Sequence, residues 1–358
     1  MTGGVTTPSA GWRRAGGSDV TRPAKRRKGG GGRRGEIAMV PDAEFSSYYG
    51  RNIVKPATWK TPEVPLYLFL GGMGGTSALI GTLAEFTRRP QLAKAAQFTA
   101  AGGALASVGL LIVDLGRPMR FLHMLRVFKP TSPLSVGSYI LSPFSALTVA
   151  AAGLQALPWF PAVRALRFAR WIPGLRKAAA AGSAVFGGPM TTYTAVLLAN
   201  TASPSWHEPH DEMPFLFAGS AMAAGGGVTM ALAPVSEAGP ARRVAVAGAL
   251  IELAAAHKVE NGHGLVSEPY HLGKAGKFLK AAKTCTASGA GLAVVAGRSR
   301  LGAIASGALL AAGSALTRFG VFEAGLESAK DPKYTVIPQK ERKAAREAAA
   351  DHAPSVTP

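Results

Sequence analysis

The sequence holds one cysteine, Cys285, in 358 residues. That excludes a disulfide framework, and it excludes a cysteine-ligated iron–sulfur cluster or structural zinc site within the chain. Cys285 lies in an Ala/Ser/Thr-rich apolar run and reads as a small packing residue. Charge is scarce as well, at 17% of residues, where soluble domains carry about 25%. Acids are the scarcer sign, 20 against 40 Lys and Arg, for a net charge of +20. The surplus sits in tails and short loops beside apolar segments, where membrane proteins place Lys and Arg, so it does not read as a nucleic-acid face. Paired intrahelical histidines are lacking too. Of His123, His207, His210, His257, His263, His271 and His352, only His257 falls near a helix interior. A membrane haem needs histidine pairs projecting into a bundle, so no haem is expected. His257, His263 and His271, with Glu260 and Glu268, have metal-ligating types but fit no familiar ligand spacing, and no metal site is expected.

What is abundant is apolar sequence, 47% of the chain. A membrane-spanning helix needs about 20 mostly apolar residues. Eight stretches qualify or nearly do: 63–86, 92–113, 134–157, 178–200, 213–234, 241–257, 275–297 and 300–323. The expected fold is all-α, an integral bundle of about eight transmembrane helices in the cell membrane, arranged as two four-helix bundles. This membrane domain covers 45–325, between a disordered basic tail at 1–44 and a polar tail at 326–358. Residues 1–37 have no apolar segment of the kind a cleavable signal needs. Gly71-Gly72-Met73-Gly74-Gly75 reads as a small-residue helix contact and not as a phosphate loop, because no strand precedes it. Gly225-Gly226-Gly227 interrupts the fifth stretch and is a candidate helix break.

With eight spans both termini share one side, here side A. Its connections are 114–133, 201–212 and 258–274. Side B has 87–91, 158–177, 235–240 and 298–299. The positive-inside rule divides. The 158–177 loop holds Arg164, Arg167, Arg170, Arg176 and Lys177, whereas the tails put basic clusters on side A.

Ionisable residues inside a bilayer are costly and are functional candidates by default. They gather near side A. Glu63 opens helix 1. Asp114 closes helix 2 and is followed by Arg117, Arg120, His123 and Arg126. Ser138 and Tyr139 lie a turn into helix 3, and Glu252 lies inside helix 6. Side B offers Glu85 and Glu237. Carboxylates in such a pocket can take up and release protons, and hydroxyls can donate to carbonyl oxygens. Each residue also has a plainer reading. Asp114 with Arg117 can be an ion pair, Glu63 a helix N-terminal acid, and Tyr139 an interfacial anchor.

Four motifs resemble the NrfD/polysulfide-reductase membrane-subunit family, the anchors of molybdopterin oxidoreductases. They are Asp114-Leu115-Gly116-Arg117-Pro118-Met119-Arg120-Phe121, then Pro130-Thr131-Ser132-Pro133-Leu134-Ser135-Val136-Gly137-Ser138-Tyr139, then Gly188-Pro189 with Tyr193-Thr194-Ala195-Val196-Leu197-Leu198, and the approach Trp59-Lys60-Thr61-Pro62-Glu63-Val64-Pro65-Leu66-Tyr67. The first two in tandem are the specific ones, and the likeness covers roughly 45–325. Ala195 departs from the glycine often found in relatives. The resemblance, nearest to the formate-dehydrogenase-associated type, implies a haem-free subunit exchanging electrons between an iron–sulfur, ferredoxin-like partner and membrane quinone (menaquinone or ubiquinone). A molybdenum or tungsten subunit would carry the substrate chemistry.

The quinone-binding candidates are Glu63, Tyr67, Asp114, Arg117, His123, Ser138 and Tyr139. The proton-transfer candidates are Glu63, Asp114 and Glu252. His123 and Glu252 enter from the residues themselves, not from the motifs. Two other readings stand beside this one: a transporter or ion carrier, and a structural anchor without quinone reactivity.

Overall fold

The computed structural model describes residues 52–351 apart from Pro118, Ala165 and Leu166. The expected basic tail, 1–44, lies outside them. Eight long helices follow one another: α1 Glu63–Phe86, α2 Pro90–Asp114, α3 Pro133–Ala156, α4 Ile172–Ala199, α5 Met213–Leu232, α6 Gly239–Asn261, α7 Gly273–Val295 and α8 Arg300–Lys330. A ninth, α9, Lys333–Asp351, occupies most of the polar C-terminal segment. No strand occurs among the described residues.

The starts are set by local chemistry. Proline stands in the first turn of α2 to α6, where its missing N–H goes unused. Ser299 caps α8 by accepting the Gly302 N–H at 3.0 Å. α4 begins earlier than the apolar run suggests, because Arg176 and Lys177 sit in its opening turns.

Helices α1, α2, α3 (continued to Trp159), α5 and α8 are long and apolar enough to cross a membrane. The other three are less apolar along their length. They nevertheless expose large apolar side chains outward: Val185 on α4, Leu250 on α6, and Val294 and Val295 on α7. Lipid, not water, is the solvent such a surface fits. The protein is an all-α membrane bundle.

Contacts divide the helices into two groups of four. α1 packs on α2 and α4, and α3 packs on α2 and α4; α5 packs on α6 and α8, and α7 packs on α6 and α8. The two bundles meet chiefly through α1 and α4 against α5, and α1 against α8. The glycine runs are the reason the backbones come so close. A Cβ on Gly75 would stand 2.6 Å from the Gly187 carbonyl oxygen, and one on Gly187 would stand 2.8 Å from that of Gly75. The small-residue reading of the first run therefore holds. Gly225-Gly226-Gly227 does not break a helix, which corrects the expectation above. α5 runs through it, Gly225 meets the Met73 carbonyl of α1, and Gly226 meets the Ala241 carbonyl of α6.

Candidate functional site

The side-A end of the first bundle collects four polar residues. Glu63 lies in the first turn of α1, where the helix dipole favours an acid. Its Oε2 is buried and has no hydrogen-bond partner among the described residues. Asp114 ends α2, where the dipole disfavours an acid, so a simple capping role does not account for it. Its Oδ1 accepts the Lys60 N–H at 3.4 Å, tying the segment before α1 to α2. Tyr67, one turn beyond Glu63, is buried in the core. Its phenol lies within electrostatic reach of Asp114 and close to the Tyr193 phenol. Ser107 donates to the Tyr67 carbonyl at 3.2 Å, fixing α1 against α2 at this level.

Tyr193, from α4, completes the group, and the sequence motif explains its position. A Cβ on Gly137 would overlap the Tyr193 ring, its Cδ2 being only 2.8 Å away. Gly137 is thus the clearance that lets the phenol lie against α3. Ser138 is buried beside it and donates to the Leu134 carbonyl at 2.9 Å. Ser135 and Tyr139 face another duty. Ser135 Oγ accepts the Lys129 N–H at 3.0 Å, and Tyr139 Oη donates to the Leu125 carbonyl at 2.8 Å. Tyr139 also meets Phe128 edge-on at 5.0 Å between ring centroids. Both residues hold the 125–129 loop.

Arg117 and His123 are exposed, the latter on the short helix Met119–Met124, which buries no residue. Arg117 forms no ion pair among the described residues, so the Asp114–Arg117 pair is not formed. The structure brings Glu63, Tyr67, Asp114 and Ser138 to the inner end of the bundle and leaves Arg117 and His123 at its rim.

Glu252 belongs to a different cluster, inside the second bundle. It is 2% exposed. Thr317 donates to its Oε1 at 2.6 Å, and Thr286 to its Oε2 at 3.4 Å. Ser220, which donates to Ser314 at 2.8 Å, lies beside it. Next to Thr317 is Arg318, 0% exposed and within the electrostatic field of Glu252. Its Nη2 donates to the Phe217 carbonyl at 2.8 Å, and the guanidinium lies 3.8 Å from the Phe217 ring centre. Nε and Nη1 have no partner among the described residues. Arg318 was not singled out by the sequence reading. A lone cation in an apolar stretch is the signal that marks it.

The side-B acids serve structure. Glu85 pairs with Arg176 at 2.9 Å and accepts from Gln97 at 3.1 Å. Glu237 Oε2 accepts the N–H groups of Gln91 and Leu92, each at 2.9 Å, and so caps α2 from another part of the chain. His271 is engaged as well. His271 Nε2 contacts the Glu260 carbonyl at 2.9 Å, while the Glu260 carboxylate pairs with Lys283 at 2.6 Å. No grouping of three metal-ligating side chains occurs among the described residues.

Outside the spans, Glu268 in the turn Gly264–Tyr270 meets Lys333 at 2.9 Å and Tyr334 at 3.1 Å. The Lys333 ammonium holds the Glu268 carboxyl below its usual range. Burial raises the Tyr270 phenol, which donates to the Ser205 carbonyl.

Two internal polar clusters within eight packed, apolar helices define an integral membrane protein with ionisable groups in its interior. The chain belongs to the NrfD-type polysulfide reductase family, whose profile matches residues 45–330 and whose members are typically membrane subunits of oxidoreductase complexes. No curated protein matches it.

Proposed function

We propose that this chain is the haem-free, quinone-reactive membrane subunit of a molybdopterin oxidoreductase of the formate-dehydrogenase type. An iron–sulfur, ferredoxin-like subunit would dock at side A, with a molybdenum or tungsten subunit beyond it, in the cell membrane. The observation that carries the reading is the grouping of Glu63, Asp114, Tyr67 and Tyr193 at one end of the first bundle, with a buried carboxylate oxygen of Glu63 that has no partner among the described residues. Reduction of menaquinone or ubiquinone takes up two electrons and two protons, and its carbonyl oxygens need donors. Tyr67 and Tyr193 are donors that burial keeps in the apolar core. Glu63 and Asp114 are proton carriers close to the aqueous rim. Ser138 lines the same level, and Tyr139 acts by holding the adjacent loop. Arg117 and His123, at the rim, suit the approach of the partner better than contact with the ring.

The test is a pair of assays on the intact complex. Asp114→Asn and Tyr67→Phe should lower quinone-coupled turnover by about 10²-fold or more, the usual weight of acid–base groups. Activity with a soluble dye should be unchanged. Equal loss in both assays would overturn the assignment.

A second reading, ion or proton carriage, is favoured by one observation: Glu252 and Arg318 are buried together in the second bundle. In it, Glu252 transfers protons through the second bundle. Proteoliposomes holding the complex would acidify or alkalinise during turnover, and Glu252→Gln would abolish the change.

A further inference from the structure

The side-B face holds a groove that neither polar cluster uses. Arg242 and Arg243 from the first turn of α6, and Arg298 from the α7–α8 connection, line it together with Val246, Leu250 and Val294. Its volume is about 410 Å³.

Three features distinguish this groove from an ordinary basic rim. First, none of the three guanidiniums has a carboxylate partner among the described residues. Arg242 Nη1 donates to the Gly297 carbonyl at 3.3 Å, which steadies the side chain without neutralising it. Second, the nearest acids of this face, Glu85 and Glu237, are already engaged within the protein. Third, the floor is apolar and open: Leu250 is 63% and Val294 67% exposed. A free phosphate has no use for such a floor, and an acyl chain has no use for three cations. A molecule carrying both chemistries matches both halves.

We propose that the groove between α6 and α7 is a binding site for an anionic phospholipid of the side-B leaflet. The phosphate is held by Arg242, Arg243 and Arg298, and an acyl chain lies along Val246, Leu250 and Val294. Charge complementarity selects the headgroup, and basic pockets between membrane helices are known to hold such headgroups. Arg supplies the forked donors that suit phosphate oxygens.

The test uses the full chain in its complex, in nanodiscs of phosphatidylcholine with a small fraction of cardiolipin. Native mass spectrometry counts the cardiolipin retained after release. The wild type should retain cardiolipin in preference to phosphatidylcholine. R243Q/R298Q, which alters two exposed residues, should retain several-fold less. L250S/V294S should also lose cardiolipin but leave any weak protection by pyrophosphate unaltered. Equal retention by the wild type and R243Q/R298Q overturns the proposal. So does stabilisation of the protein by pyrophosphate alone as strong as that by cardiolipin. Dye and quinone activities read the first-bundle reading separately, so failure of one does not decide the other.

Discussion

The hydroxyl of Thr317 on α8 donates a 2.6 Å hydrogen bond to Oε1 of Glu252 on α6. That bond joins two helices through a buried carboxylate whose nearest cation, Arg318, follows Thr317 in the chain. Removing one partner of such a group costs more than the bond itself, because a polar atom is left unpaired in an apolar interior. Thr317→Val is expected to destabilise the second bundle by about 1–3 kcal/mol. Glu252→Leu is expected to cost about 3–5 kcal/mol, since it leaves Arg318 buried without its counter-charge. Thermal unfolding in detergent measures both. A Glu252→Leu protein as stable as the wild type would show that Arg318 does not depend on Glu252.

The inter-bundle and intra-bundle contacts rest on backbone approach. Gly187→Val adds a branched side chain whose Cβ alone would stand 2.8 Å from the Gly75 carbonyl oxygen of α1. Overpacking of this kind costs about 1–3 kcal/mol. Reduced yield of folded protein and a lower melting temperature are expected. Gly188→Ala, whose added Cβ meets nothing within 4 Å, serves as the control and should be near neutral.

Much of this architecture was legible in the residues. The eight apolar runs became the eight long helices because a backbone surrounded by lipid must satisfy its own hydrogen bonds. What was not legible needed distance information. Glu237 caps α2 from far along the chain, and no local pattern announces that. Tyr193 stood inside a quoted motif but was not nominated, because its partner Gly137 lies on another helix. Tyr139 looked like a site residue by type, yet its hydroxyl is committed to the Leu125 carbonyl. Arg318 was overlooked in the middle of an apolar run.

Tyr139→Phe separates the two roles of the second motif. Loss of the Leu125 bond should loosen residues 119–129, seen as faster amide exchange there, at a cost of about 1 kcal/mol. Quinone-coupled activity should fall less than with Asp114→Asn. A larger fall with unaltered exchange would place Tyr139 in contact with the substrate instead.

The attachment of α9 should depend on pH at both extremes. Glu268, with its carboxyl lowered by Lys333, contributes stability that is fully present above its ordinary value of 4.5 and is lost as pH falls through the lower folded value. Lys333 is raised despite desolvation, which opposes the charge, because Glu268 and Tyr334 outweigh it. Its contribution is present below its ordinary 10.5 and is lost as pH rises through the higher folded value. Both side chains are about one-third or more exposed, so salt weakens the pair as well. Limited proteolysis of residues 333–351 should quicken in strong acid, at high pH and at high salt, and stay slow near neutrality. A rate independent of pH and salt would mean that other contacts hold the helix.

Photolabelling the intact complex with an azido-quinone addresses the site itself. Peptide mapping should place the label on the side-A ends of α1 to α4, around Glu63, Tyr67, Asp114, Ser138 and Tyr193, and excess unlabelled quinone should displace it. Label confined to the second bundle, or label that quinone does not displace, would contradict the account.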